Sequence, residues 1–212
     1  DGTDSVESIY HGKIHYIYQP NSGVSSARNH GIRASSSPWI ALLDSDDTWL
    51  YSKLRKDFNY IRHNPSIKIH QSEDIWIRDG RRVNPGTKHL KREGDIFDES
   101  LKLCMISPSS VVFSREIIDK YGPFDEELPA CEDYDLWLRI TPFEYIGLIR
   151  EKLITRYAGH NDQLSSNHPL MDRFRLYSII KLLSDYSDRL SAAQIKGAKT
   201  AAIEKARILL AG

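Results

Sequence analysis

At 212 residues the chain is long enough for one domain, or for one domain with an appended helical segment. Lys plus Arg and Asp plus Glu both total 29, so bulk charge gives no basis for a general nucleic-acid binder or for wholesale attraction to an anionic membrane. Cys104 and Cys131 form no spaced cluster with histidines, which argues against structural zinc and a disulfide-built domain, and no apolar stretch approaches the roughly 20 residues of a membrane-spanning helix.

Along the chain, Asp1-Gly2-Thr3-Asp4 reads as a turn and Ile14 to Tyr18, rich in β-formers, as a strand. Val24 to Ser35 reads as a short helix carrying Arg28, and Trp39 to Leu43 as the next strand. Asp47 or Thr48 can cap a helix that ends at Asn64-Pro65, with Leu50, Leu54, Phe58 and Ile61 on one face, the face expected to pack on a sheet. Ser66 to Ile77 suggests a strand, and Arg78 to Gly94 a basic loop able to fold over a site. A short helix near Asp98 to Cys104, a strand at Ser109 to Phe113 and a helix at Arg115 to Tyr121 follow. After an irregular segment, a helix holds Glu132, Asp133, Trp137 and Leu138, and Tyr145 to Tyr157 forms one or two strands. From Pro169 onward, near-heptad spacing of Leu170, Phe174 and Tyr177, then Ile195, Ala198, Ala202, Ala206 and Leu209, predicts helices. Strands interleaved with helices imply an α/β architecture.

The richest feature is the join at Ile40 to Asp47, where four apolar residues run into Asp44, Asp46 and Asp47. A buried strand that ends in clustered carboxylates places them where open α/β sheets keep their ligands. Three acids so close repel one another unless a cation lies between them, and a hard divalent ion such as Mg²⁺ or Mn²⁺ carrying a diphosphate meets that need. An EF-hand loop is excluded, because its sixth position counted from Asp44 is Trp49 and its twelfth is Arg55.

Four motifs in order resemble glycosyltransferase family 2: Asp1-Gly2-Thr3-Asp4, Asn21-Ser22-Gly23 through Ala27-Arg28-Asn29, Leu43-Asp44-Ser45-Asp46-Asp47, and Glu132-Asp133-Tyr134-Asp135-Leu136-Trp137. The resemblance implies the GT-A nucleotide-diphosphosugar transferase fold, a Rossmann-like mixed sheet flanked by helices, over residues 1–165, with a helical extension over 166–212. It implies an inverting, metal-dependent transfer of a sugar from a nucleotide-diphosphosugar donor to a glycan or lipid-linked acceptor, in surface polysaccharide assembly. By the same carry-over Asp46 and His160 hold Mn²⁺ or Mg²⁺, while Asp1, Arg28 and Asp44 bind the nucleotide. Asp133 is the base, with Glu132 beside it in the catalytic pair, and Asp47 reads first as a helix cap.

Relatives begin with a strand and helix that this chain lacks, so residues 1–12 are expected to be poorly ordered or displaced. The open strand edge is expected to favour homo-oligomerisation. The resemblance places the protein in the cytoplasm, extending to peripheral contact with the inner face of the membrane, with no nucleic-acid partner. A non-catalytic fragment acting as an interaction module is the alternative. A sugar nucleotidyltransferase fits less well, because no Gly-rich, Lys/Arg-bearing phosphate loop is present.

Overall fold

The computed structural model describes residues 8–10, 12–84, 86–158 and 170–211. Helix α1 (Gly23–Ala34) is followed by strand β1 (Trp39–Ala41), strand β2 (Thr48–Trp49), helix α2 (Lys53–His63) and strand β3 (Ile69–Arg78). Strand β4 (Arg81–Val83), helix α3 (Phe97–Lys102), strand β5 (Val111–Ser114) and helix α4 (Arg115–Tyr121) come next. Helix α5 (Glu132–Ile140), strand β6 (Ile146–Ala158) and helices α6 (Asp172–Tyr186) and α7 (Ala192–Ala211) complete it.

The strands form one mixed sheet in the order β1-β5-β3-β6-β2, with β4 pairing β3. Among the described strands only β3 and β6 pair in parallel; the register shifts between Ser72 and Asp74, where the two long strands adjust their twist. One core lies between this sheet and α1, α4 and α5, built on Ile69, Val111, Phe113, Leu136 and Trp137. A second joins Phe97 and Leu101 of α3, Tyr134 and Leu138 of α5, and Ile179, Leu182 and Ala198 of α6 and α7. The C-terminal helices thus share a core with the helix that carries the Glu-Asp motif. No described helix is long and apolar enough to cross a membrane.

Three expectations fail, one of them, a helix capped by Asp47 or Thr48, in the acidic loop described below. Ile14 to Tyr18 forms no strand and stays largely exposed, with Tyr18 at 79%. β-propensity alone does not hold a strand without a partner, and none of the described strands pairs with it. The second failure is the rotation of α2. Leu54 and Phe58, both 58% exposed, face outward, while Lys53 and Asp57 are buried. The polar contacts are responsible. Lys53 Nζ donates to Asp57 Oδ2 at 2.6 Å, and Asp57 Oδ1 lies 3.1 Å from Nε2 of fully buried His70 on β3. Separating these charges inside the protein costs more than exposing two apolar side chains.

Candidate active site

The acidic loop after β1 is pinned at both ends by one serine. Ser109, in a tight turn at Pro108–Ser110, accepts from the Asp44 amide through Oγ at 3.1 Å and from Trp49 Nε1 through its carbonyl at 2.8 Å. Within the loop, the Asp47 amide donates to the Asp44 carbonyl at 3.1 Å. Carboxylate oxygens of Asp44, Asp46 and Asp47 lie within 4.8 Å of one another, so three hard oxygen donors converge on one point. The donor set, all carboxylate oxygen, suits a hard divalent cation such as Mg²⁺ or Mn²⁺.

Asp47 caps no helix. Its Oδ1 accepts from the Tyr157 amide of β6 at 3.2 Å, and its Oδ2 lies 3.9 Å from Arg156. Helix α2 begins only at Lys53, after a loop that β6 holds by pairing Thr48 with Thr155 and Trp49 with Ile154. Burial pushes the Asp47 carboxyl up, against Ser109, Arg156 and the Tyr157 amide.

Arg28, on the inner side of α1, joins the acidic loop to the second motif. Its Nη2 meets Asp44 Oδ1 and its Nη1 meets Glu132 Oε1, each at 2.6 Å, while the guanidinium sits 5.2 Å from the centre of the Phe124 ring. Burial opposes the charge of Arg28, yet Asp44 and Glu132 outweigh it and hold the proton above the usual arginine value. The Glu132 carboxyl is pushed up as well, by burial first and then by the charge of Asp133, against the pull of Arg28.

Helix α5 starts from Cys131, whose φ of 63° lies in the left-handed region, at a cost on the order of 1 kcal/mol for a residue with a side chain. This turn sets Glu132 and Asp133 at a helix N-terminus, where the dipole favours negative charge. Asp133 Oδ1 accepts from the Tyr134 amide at 2.7 Å. The Cys104 thiol lies 3.3 Å from both Asp133 Oδ2 and the Ile106 carbonyl, so its single proton is shared between two acceptors. Burial and the nearby Asp133 charge raise that thiol well above its ordinary range.

Asp133 and Cys104 line a cavity of about 360 Å³. Asp74 and Trp76 of β3 enter it with Lys91, Arg156 and Arg175. Lys91 lies 3.2 Å from Asp74 and donates to Ser110 Oγ at 2.6 Å, and burial lowers its ammonium to about 8. Arg156 stacks 5.1 Å from the Trp76 ring, and Arg175 pairs with Asp172 at 3.1 Å. The far side of Arg28 borders a second groove of about 530 Å³, lined by Ile32, Trp39, Leu43 and Asp44.

Of the residues singled out by sequence, Arg28, Asp44, Asp46, Glu132 and Asp133 fall into this one region, whereas Asp1 and His160 lie outside the described residues. Sequence reasoning missed Ser109, Cys104, Asp74, Trp76, Arg156 and Arg175. Only Lys91 had a signal, as part of the basic loop expected to fold over a site.

A family model described as Glycosyl transferase family 2 matches residues 1–122. An uncharacterised glycosyltransferase of Rickettsia bellii is 30% identical over 153 residues, which cover 70% of this chain and 21% of that protein. The Escherichia coli UDP-Glc:alpha-D-GlcNAc-diphosphoundecaprenol beta-1,3-glucosyltransferase WfgD is 30% identical over 146 residues, 68% of this chain and 55% of that protein. The crystal structure of S. aureus TarS 1-349 in complex with UDP-GlcNAc superposes with a TM-score of 0.65 at 14% identity, covering 95% of this chain and 67% of the other. That likeness concerns the fold, and it places the mixed sheet and its helices in the GT-A architecture. The chain spans between 21% and 50% of the length of the first curated relatives it matches.

Proposed function

The chain belongs to glycosyltransferase family 2, and we propose that it transfers a sugar, with inversion, from a nucleotide-diphosphosugar donor to the hydroxyl of a glycan or lipid-linked acceptor. The observation that carries this reading is the Arg28 bridge, which brings the acidic loop and the Glu-Asp motif to one place. WfgD, named for a sugar donor and a diphosphoundecaprenol-linked acceptor, supports a role in polysaccharide assembly. We read residues 1–165 as the catalytic domain and 166–212 as a helical extension, in a protein that works in the cytoplasm.

Asp1, Arg28 and Asp44 would bind the nucleotide, and Asp46, with Asp44 beside it and His160 later in the chain, would hold a divalent cation. When bound there, Mg²⁺ or Mn²⁺ supplies Lewis-acid stabilisation of the departing diphosphate. Asp133 takes the proton from the acceptor hydroxyl. Glu132 is less suited to that step, because its Oε1 is held by Arg28 at 2.6 Å. The other carboxylate lining the cavity, Asp74, faces Lys91 at 3.2 Å and Arg156 at 3.9 Å, which suits it to holding those cations. Among the described residues that line the cavity, one carboxylate is available to act as base and none is placed as a nucleophile, which is consistent with single displacement and inversion.

Calorimetric titration of a panel of nucleoside diphosphates and their sugars, with Mn²⁺ and with chelator, tests the reading. Saturable binding that needs the metal is expected. No binding under either condition would favour the interaction-module alternative.

A further inference from the structure

The outward rotation of α2, the helix that follows the acidic loop, leaves an apolar and basic face. Tyr51, fully exposed at 102%, leads into the helix, and Leu54 and Phe58 continue the same face at 58% each. Arg62 lies 5.8 Å over the Phe58 ring, and Arg55 is exposed alongside. The helix contains one acid, Asp57, and it is turned into the protein with 3% exposure. Lys56 is the one basic residue of this helix seen paired outward, with Glu151 at 2.7 Å. The exposed side therefore presents aromatic and aliphatic groups edged by unneutralised guanidinium groups. Zero net charge on the whole chain conceals this local arrangement.

We propose that the face of α2 formed by Tyr51, Leu54 and Phe58, with Arg55 and Arg62, docks the protein onto an anionic lipid bilayer. Interfacial binding asks for a helix with apolar groups along one side, arginine or lysine at its border and aromatic rings at headgroup depth. Charge separates this occupant from a second copy of the chain, since two such faces would bring arginines together, whereas anionic headgroups complement them. Tyr51 lies four residues after Asp47, and the Leu50 amide is tied to Leu153 of β6 at 2.9 Å, so docking would hold the acidic loop close to the bilayer. The inference stands independently of which sugar moves.

Flotation of the 212-residue chain with phosphatidylcholine vesicles, with and without phosphatidylglycerol, tests it. Binding to the anionic vesicles is expected, weakened by salt. Leu54→Gln with Phe58→Gln should reduce it about tenfold or more, and Arg55→Glu with Arg62→Glu should abolish the preference for phosphatidylglycerol. These side chains are exposed, so circular dichroism and nucleotide affinity should stay unchanged in both variants. Absence of binding to anionic vesicles, or binding unaltered in the variants, would overturn the proposal. So would a dimer in light scattering that dissociates on Leu54→Gln with Phe58→Gln, because that would assign the face to a second copy.

Discussion

Arg28 holds Asp44 and Glu132 simultaneously, one with each terminal nitrogen and each at 2.6 Å, although the two acids are 88 positions apart in the chain. Arg28 and Glu132 are nearly buried, with 10% and 6% side-chain exposure, so the guanidinium compensates a carboxylate that water does not reach. Arg28→Met leaves Glu132 without that compensation. The expected loss is about 3 kcal/mol of stability, or roughly 5–10 °C in Tm, together with loss of nucleotide binding. A variant that melts within a degree or two of the parent in calorimetry would show that the bridge is not a structural tie.

Asp133→Asn preserves shape but removes the proton acceptor, so turnover should fall by roughly 10²-fold or more with donor affinity unchanged. Near-normal turnover would move the base to another group. Cys104→Ala removes the thiol 3.3 Å from Asp133 Oδ2 and should lower kcat several-fold, with Cys104→Ser restoring most of it. Steady-state kinetics on the three variants separate the base from the group that orients it.

Lys91 gives a pH signature. Burial, opposed by Asp74, lowers it from 10.5 to about 8 in the folded chain. The unfolded chain then binds its proton more tightly, so the penalty is full below pH 8 and fades as pH rises from 8 to 10.5. Urea titrations across that range should show the parent gaining stability relative to Lys91→Met. Parallel curves would contradict a buried, depressed ammonium.

Asp57→Ala strands Lys53, 1% exposed, and fully buried His70 without their shared carboxylate. A cost of roughly 3–5 kcal/mol is expected, and Lys53→Met with Asp57→Leu should recover much of it by replacing the pair with apolar packing. Equilibrium unfolding checks both. A single-variant cost below about 1 kcal/mol would remove the explanation for the rotation of α2.

The site was legible in the sequence wherever its chemistry sits in one contiguous run: Asp44 to Asp47, and Glu132 with Asp133. Helices α1 and α4 and the strand at β6 were also readable from local pattern, because their burial and their sequence period agree. Long-range contacts were not readable. Ser109 pins the acidic loop from 65 positions away, and Cys104 reaches Asp133 across 29. Periodicity misled at α2, where Leu54 and Phe58 mark a face as surely as a core stripe does, but the buried Lys53, Asp57 and His70 decide which face turns inward. β-propensity misled at Ile14 to Tyr18, since strand formers do not supply a strand partner.

The most direct test of the account is nucleotide binding by Asp46→Ala. Asp46 lies at the exposed end of the loop after β1, so its removal should leave the fold intact. Calorimetric titration of nucleoside diphosphate into parent and variant, with Mn²⁺ and with chelator, should show metal-dependent binding in the parent and its loss in the variant, at equal Tm. Equal affinity in parent and variant in the presence of Mn²⁺ would contradict the placement of the metal and diphosphate on the acidic loop.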